Sequence, residues 1–144
     1  MYERILVPVD DSPTSALALH EAIRLAQGRP SRLRVVHVID TVNINAEFTA
    51  DIARPMRESG RKILRDAEAH ARKAGVEAET NLLEIEMISD RISDLVAREA
   101  ESWNADVIVM GTHGRRGLNR LFVGSVAEGV VRTAPVPVLL VRGK

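Results

Sequence analysis

Residues 106–125 read DVIVMGTHGRRGLNRLFVGS. Val107-Ile108-Val109-Met110 is a short, wholly apolar, β-rich run, the pattern of a strand covered on both faces of a sheet. It opens directly into a loop with glycines at 111, 114 and 117 and a basic and apolar insert. Gly124-Ser125 follows, and Ser125 to Thr133 reads as a short helix. In an open parallel sheet, ligands lie beyond the carboxyl ends of the strands, which is where this loop begins. Glycines at 111, 114 and 124 let backbone N–H groups approach an anion with no Cβ in the way. A helix starting at Ser125 adds unpaired N–H groups and the positive end of its dipole. That combination suits phosphate. A purely structural reading stands beside it, because Ser125-Val126-Ala127-Glu128 has the S-x-x-E form of a capping box with Ser125 as the cap.

Outward from this segment, strand-like and helix-like runs alternate. Arg4 to Val9 reads as a buried strand. Ser12-Pro13 is an N-cap with proline at the first helical position, Ala16, Leu19, Ala22, Ile23 and Ala26 form a helical stripe, and Gly28 stops it. Leu33 to Ile39 is a second strand, followed by a less regular stretch from Asp40 to Arg54 and then Pro55. A second helix is expected from Met56, with Gly60, Ile63, Leu64, Ala67, Ala71 and Ala74 on one face and Gly75 at its end. Val76 to Glu86 contains a weaker third strand. Ile92, Leu95, Val96, Ala100 and Trp103 mark a third helix, capped by Ser89 or Asp90. The last strand is Val136 to Val141. Strands alternating with helices specify an α/β fold with a mostly parallel sheet, and one domain over 1–144 is the simplest organisation.

Composition narrows the chemistry. The 144 residues hold 20 Lys+Arg against 20 Asp+Glu, no cysteine, and 3% aromatic residues. A zero net charge lacks the basic surplus of a nucleic-acid module or anionic-membrane binder, so any anion site is local. Without cysteine there are no disulfides, thiolate zinc sites, iron–sulfur clusters or cysteine nucleophiles. The four histidines, at 20, 37, 70 and 113, have no metal-ligand spacing. No run approaches the ~18 apolar residues of a membrane span, and the charged N-terminus is unlike a signal peptide, so a cytoplasmic location is expected. No G-x-G-x-x-G or G-x-S-x-G is present, and Gly124-x4-Gly129 fails as a P-loop because Val130 stands where lysine is required.

The spacing Gly111-x2-Gly114-x9-Gly124-Ser125 resembles the nucleotide-binding motif of the universal stress protein family. The resemblance extends to Val7-Pro8-Val9-Asp10, to Val107-Ile108-Val109-Met110 and to the closing Ala134-Pro135-Val136-Pro137-Val138. It implies a Rossmann-like three-layer sandwich with a five-stranded parallel sheet in order 3-2-1-4-5, and ATP held where strands 1 and 4 lie side by side. Matched residue by residue, it implies that Gly111, Gly114, Gly124 and Ser125 surround the phosphates and that Arg115 offsets their charge. His113 and Val126 line the loop and helix start, Asp10 contacts the ribose, Pro8, Val9 and Met110 form an apolar floor, and Val38 meets adenine through its backbone. It also implies a homodimer through Val136 to Val141; other protein partners are not readable. One departure is Asp10-Asp11-Ser12, where many members have glycine in the middle. A second carboxylate either repels phosphates or helps hold Mg²⁺, and Asp11 is expected to face solvent.

Three functions compete at this level. The first is an ATP-binding regulatory module. The second is a weak ATP hydrolase or nucleotide-transfer enzyme, for which His113 is the one candidate base. The third is a dimeric scaffold with an unused pocket, against which the intact glycines argue.

Overall fold

The computed structural model of the chain describes residues 2–42, 49–112 and 124–143. Among the described residues five strands and four helices alternate: β1 (Arg4–Pro8), α1 (Pro13–Ala26), β2 (Arg32–Ile39), α2 (Thr49–Lys73), β3 (Glu77–Glu84), α3 (Ile92–Ser102), β4 (Val107–Gly111), α4 (Ser125–Thr133) and β5 (Val138–Val141). All neighbouring strands pair in parallel, in the order β3-β2-β1-β4-β5.

The apolar runs of β1 and β4 follow from their central place. Ile5, Val7 and Val9 join Val107 and Val109 in the core under α1 and α2. Leu6 meets Ile108 and Met110 in the core under α3 and α4. Successive residues of one strand thus serve opposite cores, and each fully buried Ile, Leu or Val contributes about 1.5–3 kcal/mol. β3 lies at the sheet edge with Glu77 and Glu79 exposed, which is why its pattern is weak in the sequence.

Three boundaries differ from the sequence expectation. The second helix starts at Thr49, ahead of Pro55. Ala53, seven positions before Gly60, continues the buried stripe, and Pro55 sits on the exposed side. The third helix is preceded by Arg91, whose N–H donates to the Asp94 carboxylate at 2.8 Å. Asp90 is unavailable as a cap because Arg98 grips both its oxygens, at 2.7 and 3.1 Å. The fourth helix keeps its expected bounds, Ser125 to Thr133; of the two readings of Ser125 the capping one fails, since Gly124 is the N-cap and no side chain among the described residues caps that helix. Finally β5 begins at Val138 instead of Val136. The Pro137 carbonyl still accepts from Ile108 N–H at 3.0 Å, but both prolines lack the N–H a ladder needs.

Candidate functional site

Where β1 and β4 end, the chain turns to opposite faces of the sheet: β1 feeds α1, which packs on one core, and β4 leads to α4, which packs on the other. A crevice follows from that divergence. Pro8 widens it. Val9 N–H donates to Val36 O at 2.8 Å, so strand alternation turns Pro8 toward β4, where it has no N–H to give. The β1–β4 ladder accordingly pairs only Ile5 with Val107 and Leu6 with Ile108, whereas β1 pairs with β2 over five positions, as far as Pro8 with Val36. Alternation also places the N–H and C=O of Val38 on the β1 side of β2, one step past the last β1 bond, so a peptide edge faces the crevice.

On the β1 side, Asp10 is held by its neighbours. Its Oδ1 accepts from Ser12 N–H at 2.7 Å, and its own N–H donates to Ser15 Oγ at 2.9 Å. Ser12 Oγ in turn accepts from Ser15 N–H at 3.2 Å as the α1 cap. The second carboxylate oxygen, Oδ2, has no partner among the described residues. His37, buried on β2, donates from Nδ1 to Val9 O at 2.7 Å and so pins the β1 exit. Asp11 is exposed, as expected.

On the β4 side, Thr112 N–H donates to Val141 O at 3.0 Å, and Gly124 N–H donates to Thr112 O at 2.7 Å. These two bonds set the first turn of α4 next to the end of β4. Ser125, as the first helical residue, keeps an exposed hydroxyl without a hydrogen-bond partner among the described residues. The N–H groups of Ser125, Val126 and Ala127 precede the first intrahelical bond, Glu128 N–H to Gly124 O at 2.9 Å.

The sequence-derived residues Pro8, Val9, Asp10, Val38, Met110, Gly111, Gly124, Ser125 and Val126 thus fall at the carboxyl edge of β1, β2 and β4 and at the start of α4. His113, Gly114 and Arg115 lie outside the described residues. Gly111 has a packing duty that the motif does not announce: a Cβ there would come within 2.8 Å of Thr14 Oγ1 and 2.9 Å of the Thr14 carbonyl carbon. Sequence reasoning also missed Ser15 and His37 as the groups that fix Asp10 and Val9. Ser15 had a signal, since it stands on the buried stripe of α1 with Ala18, Leu19, Ala22, Ile23 and Ala26; a polar residue there needs a partner.

The profile of the universal stress protein family matches residues 1–142. The chain belongs to that family. A universal stress protein of Methanocaldococcus jannaschii is 34% identical over 99% of this chain and 83% of its own length. The crystal structure of a universal stress protein family member from Burkholderia pseudomallei is 33% identical, covers 99% of this chain and 97% of its own, and superposes with a TM-score of 0.81. The universal stress protein from Archaeoglobus fulgidus in complex with dAMP is 28% identical, covers 98% of each chain and has a TM-score of 0.72. This universal stress protein thus shares its fold with those relatives over nearly the whole chain. Among the described residues no group of three or more His, Asp or Glu side chains converges as a metal site, and no helix is long and apolar enough to cross a membrane.

Proposed function

We propose that this universal stress protein is an ATP-binding regulatory module acting in the cytoplasm as a homodimer. The observation that carries the reading is Ser125 at the first position of α4, its hydroxyl and the N–H groups of Ser125, Val126 and Ala127 all without a partner among the described residues, at the switch-point crevice. A capping serine would have been spent on its own helix. Here the hydroxyl and the N–H groups of Ser125 and Val126 receive phosphate oxygens, with Gly114 and Arg115 of the motif completing the cradle. Asp10, with Oδ1 already held by Ser12, presents Oδ2 to the ribose hydroxyls. Pro8, Val9 and Met110 floor the crevice, and the Val38 peptide edge reads adenine. Support for an adenine nucleotide also comes from the relative solved with dAMP; the choice of triphosphate rests on the resemblance of the glycine motif, and Mg²⁺ would serve as its counterion.

The test is nucleotide analysis of the purified protein by HPLC and mass spectrometry, followed by calorimetric titration with ATP, with and without Mg²⁺. Submillimolar binding, abolished by Gly114→Glu, is expected. No bound nucleotide and no heat up to millimolar ATP would overturn the reading.

A further inference from the structure

A groove of about 410 Å³ runs between the first turns of α3 and α4, lined by Arg91, Ile92, Ser93, Ser125, Val126, Glu128, Gly129 and Arg132. The two helices approach closely there because Gly129 has no side chain: a Cβ at that position would overlap Ser93 Oγ and come within 2.7 Å of Ser93 Cβ. Both helices follow parallel strands, so both N-termini lie at the carboxyl edge of the sheet. Ile92 and Ser93 precede the first bonds of α3, which run from Asp94 and Leu95 N–H to Arg91 O, so their own N–H groups lack intrahelical acceptors.

One side chain turns this helix end into a site. Ser93 is only 6% exposed, lines the groove, and its hydroxyl has no hydrogen-bond partner among the described residues. A buried hydroxyl without a partner is costly unless a ligand or water takes it. Beside it the Arg91 guanidinium makes no ion pair among the described residues. Arg132 stands opposite, bound to Glu128 at 2.7 Å.

We infer that this groove is an anion subsite, adjoining the nucleotide crevice but centred on α3, for the phosphate monoester of a small molecule. Arg91 offers a planar fork to two oxygens, while Ser93 Oγ and the α3 N–H groups serve the third. Ile92 and Val126 supply apolar wall for a short organic remainder, and the volume lies in the small-ligand range. The Glu128 carboxylate limits the charge the groove accepts, which favours a single phosphate over a polyphosphate. Only the Ser125–Val126 wall is shared with the nucleotide crevice.

The experiment is ¹H–¹⁵N NMR titration of nucleotide-free protein with inorganic phosphate, glycerol 3-phosphate, glycerol and ATP. Saturable shifts at Ile92 to Asp94 and at Val126 to Gly129 are expected with the two phosphate-bearing probes, tighter for the ester, and none with glycerol. Arg91→Ala weakens both about tenfold. Ser93→Ala weakens them about fivefold while leaving thermal stability equal or higher, since it removes an unpaired hydroxyl. Gly114→Glu, which blocks the nucleotide loop, leaves the phosphate shifts intact, so a failure of ATP binding does not touch this result. Shifts that do not saturate, that ignore both substitutions, or that appear at α3 only with ATP would overturn the inference.

Discussion

Gly111 is the residue at which two explanations of one glycine separate. If it served only to let an anion near the backbone, Gly111→Ala would weaken nucleotide binding and leave folding alone. The contact with Thr14 predicts otherwise, because the obstructing atoms include the Thr14 carbonyl carbon, which belongs to the first turn of α1 and cannot swing aside as a long side chain can. Gly111→Ala is expected to lose about 1–3 kcal/mol of stability in urea unfolding, the usual range for overpacking. A loss below about 0.5 kcal/mol would return the residue to a ligand role alone. His37 is a second case of this kind: its ring, held by Val9 O, explains a buried polar residue on β2 without any metal or catalytic duty.

Among the elements, β1 shows how a single missing N–H shapes a site. Replacing Pro8 with valine restores a donor facing β4, worth about 0.5–1.5 kcal/mol as a hydrogen bond, but releases the unfolded chain from proline's constraint, a loss of about 0.4–1 kcal/mol. Net stability should hardly move. The new amide should be protected from hydrogen exchange, and ATP affinity should fall as the strands close together; an unprotected amide would show that Pro8 does not set the ladder's end. At the end of β3, Glu84 ties three elements together. Arg57 of α2 binds both its oxygens, at 2.6 and 3.0 Å, and Thr41 after β2 donates to Oε1 at 2.9 Å. The hydrogen bonds from Arg57 foremost hold the Glu84 carboxyl below its ordinary range. With the folded-state value depressed, the stabilisation is complete above the ordinary glutamate pKa and disappears as pH falls through the folded-state value. Glu84→Gln should therefore be less stable than the native chain at pH 7, by a modest amount since the pair is partly exposed. The difference should vanish in strongly acidic buffer. A gap that stays constant with pH would assign the effect to packing.

For the whole molecule, the two ends of the sheet do different work. At the amino end, Arg34 pairs with the buried Glu99 at 3.0 Å, Asn81 donates to the same carboxylate at 2.7 Å, and Arg34 and Arg4 lie 5.1 and 5.7 Å from the Trp103 ring centre. These contacts clamp β1, β2, β3 and α3 together, while the carboxyl end holds the crevice. The β5 edge is the remaining large-scale feature. It carries Leu139 at 39% exposure, and α4 beside it carries Val131 at 52%. An apolar edge invites pairing with another chain, and the homodimer proposed above would place a second copy there. Sedimentation velocity is expected to give a dimer for the native chain and monomers for Leu139→Glu; a variant that still sediments as a dimer places the interface elsewhere.

Local sequence determined the element types and most of their ends. Val107 to Met110 could only be a doubly covered strand, Ser12-Pro13 a helix start, and Gly28 and Gly75, with φ of +75° and +77°, helix stops. These are short-range consequences of side-chain shape and backbone sterics, legible in a few consecutive residues. The strand order and the list of crevice residues were implied by the family resemblance that a long-spaced motif carries, because periodicity is silent about which strand lies beside which. Only the tertiary structure decided that Ser125 is inside its helix and not its cap, that Asp90 is spent on Arg98, that Ala53 carries α2 back past Pro55, and that Gly111 yields to Thr14. Each of these is settled by a partner distant in the chain or by a competing hydrogen bond. A side chain's role is fixed by whichever partner reaches it at least cost, and that competition is resolved only once the whole chain is packed.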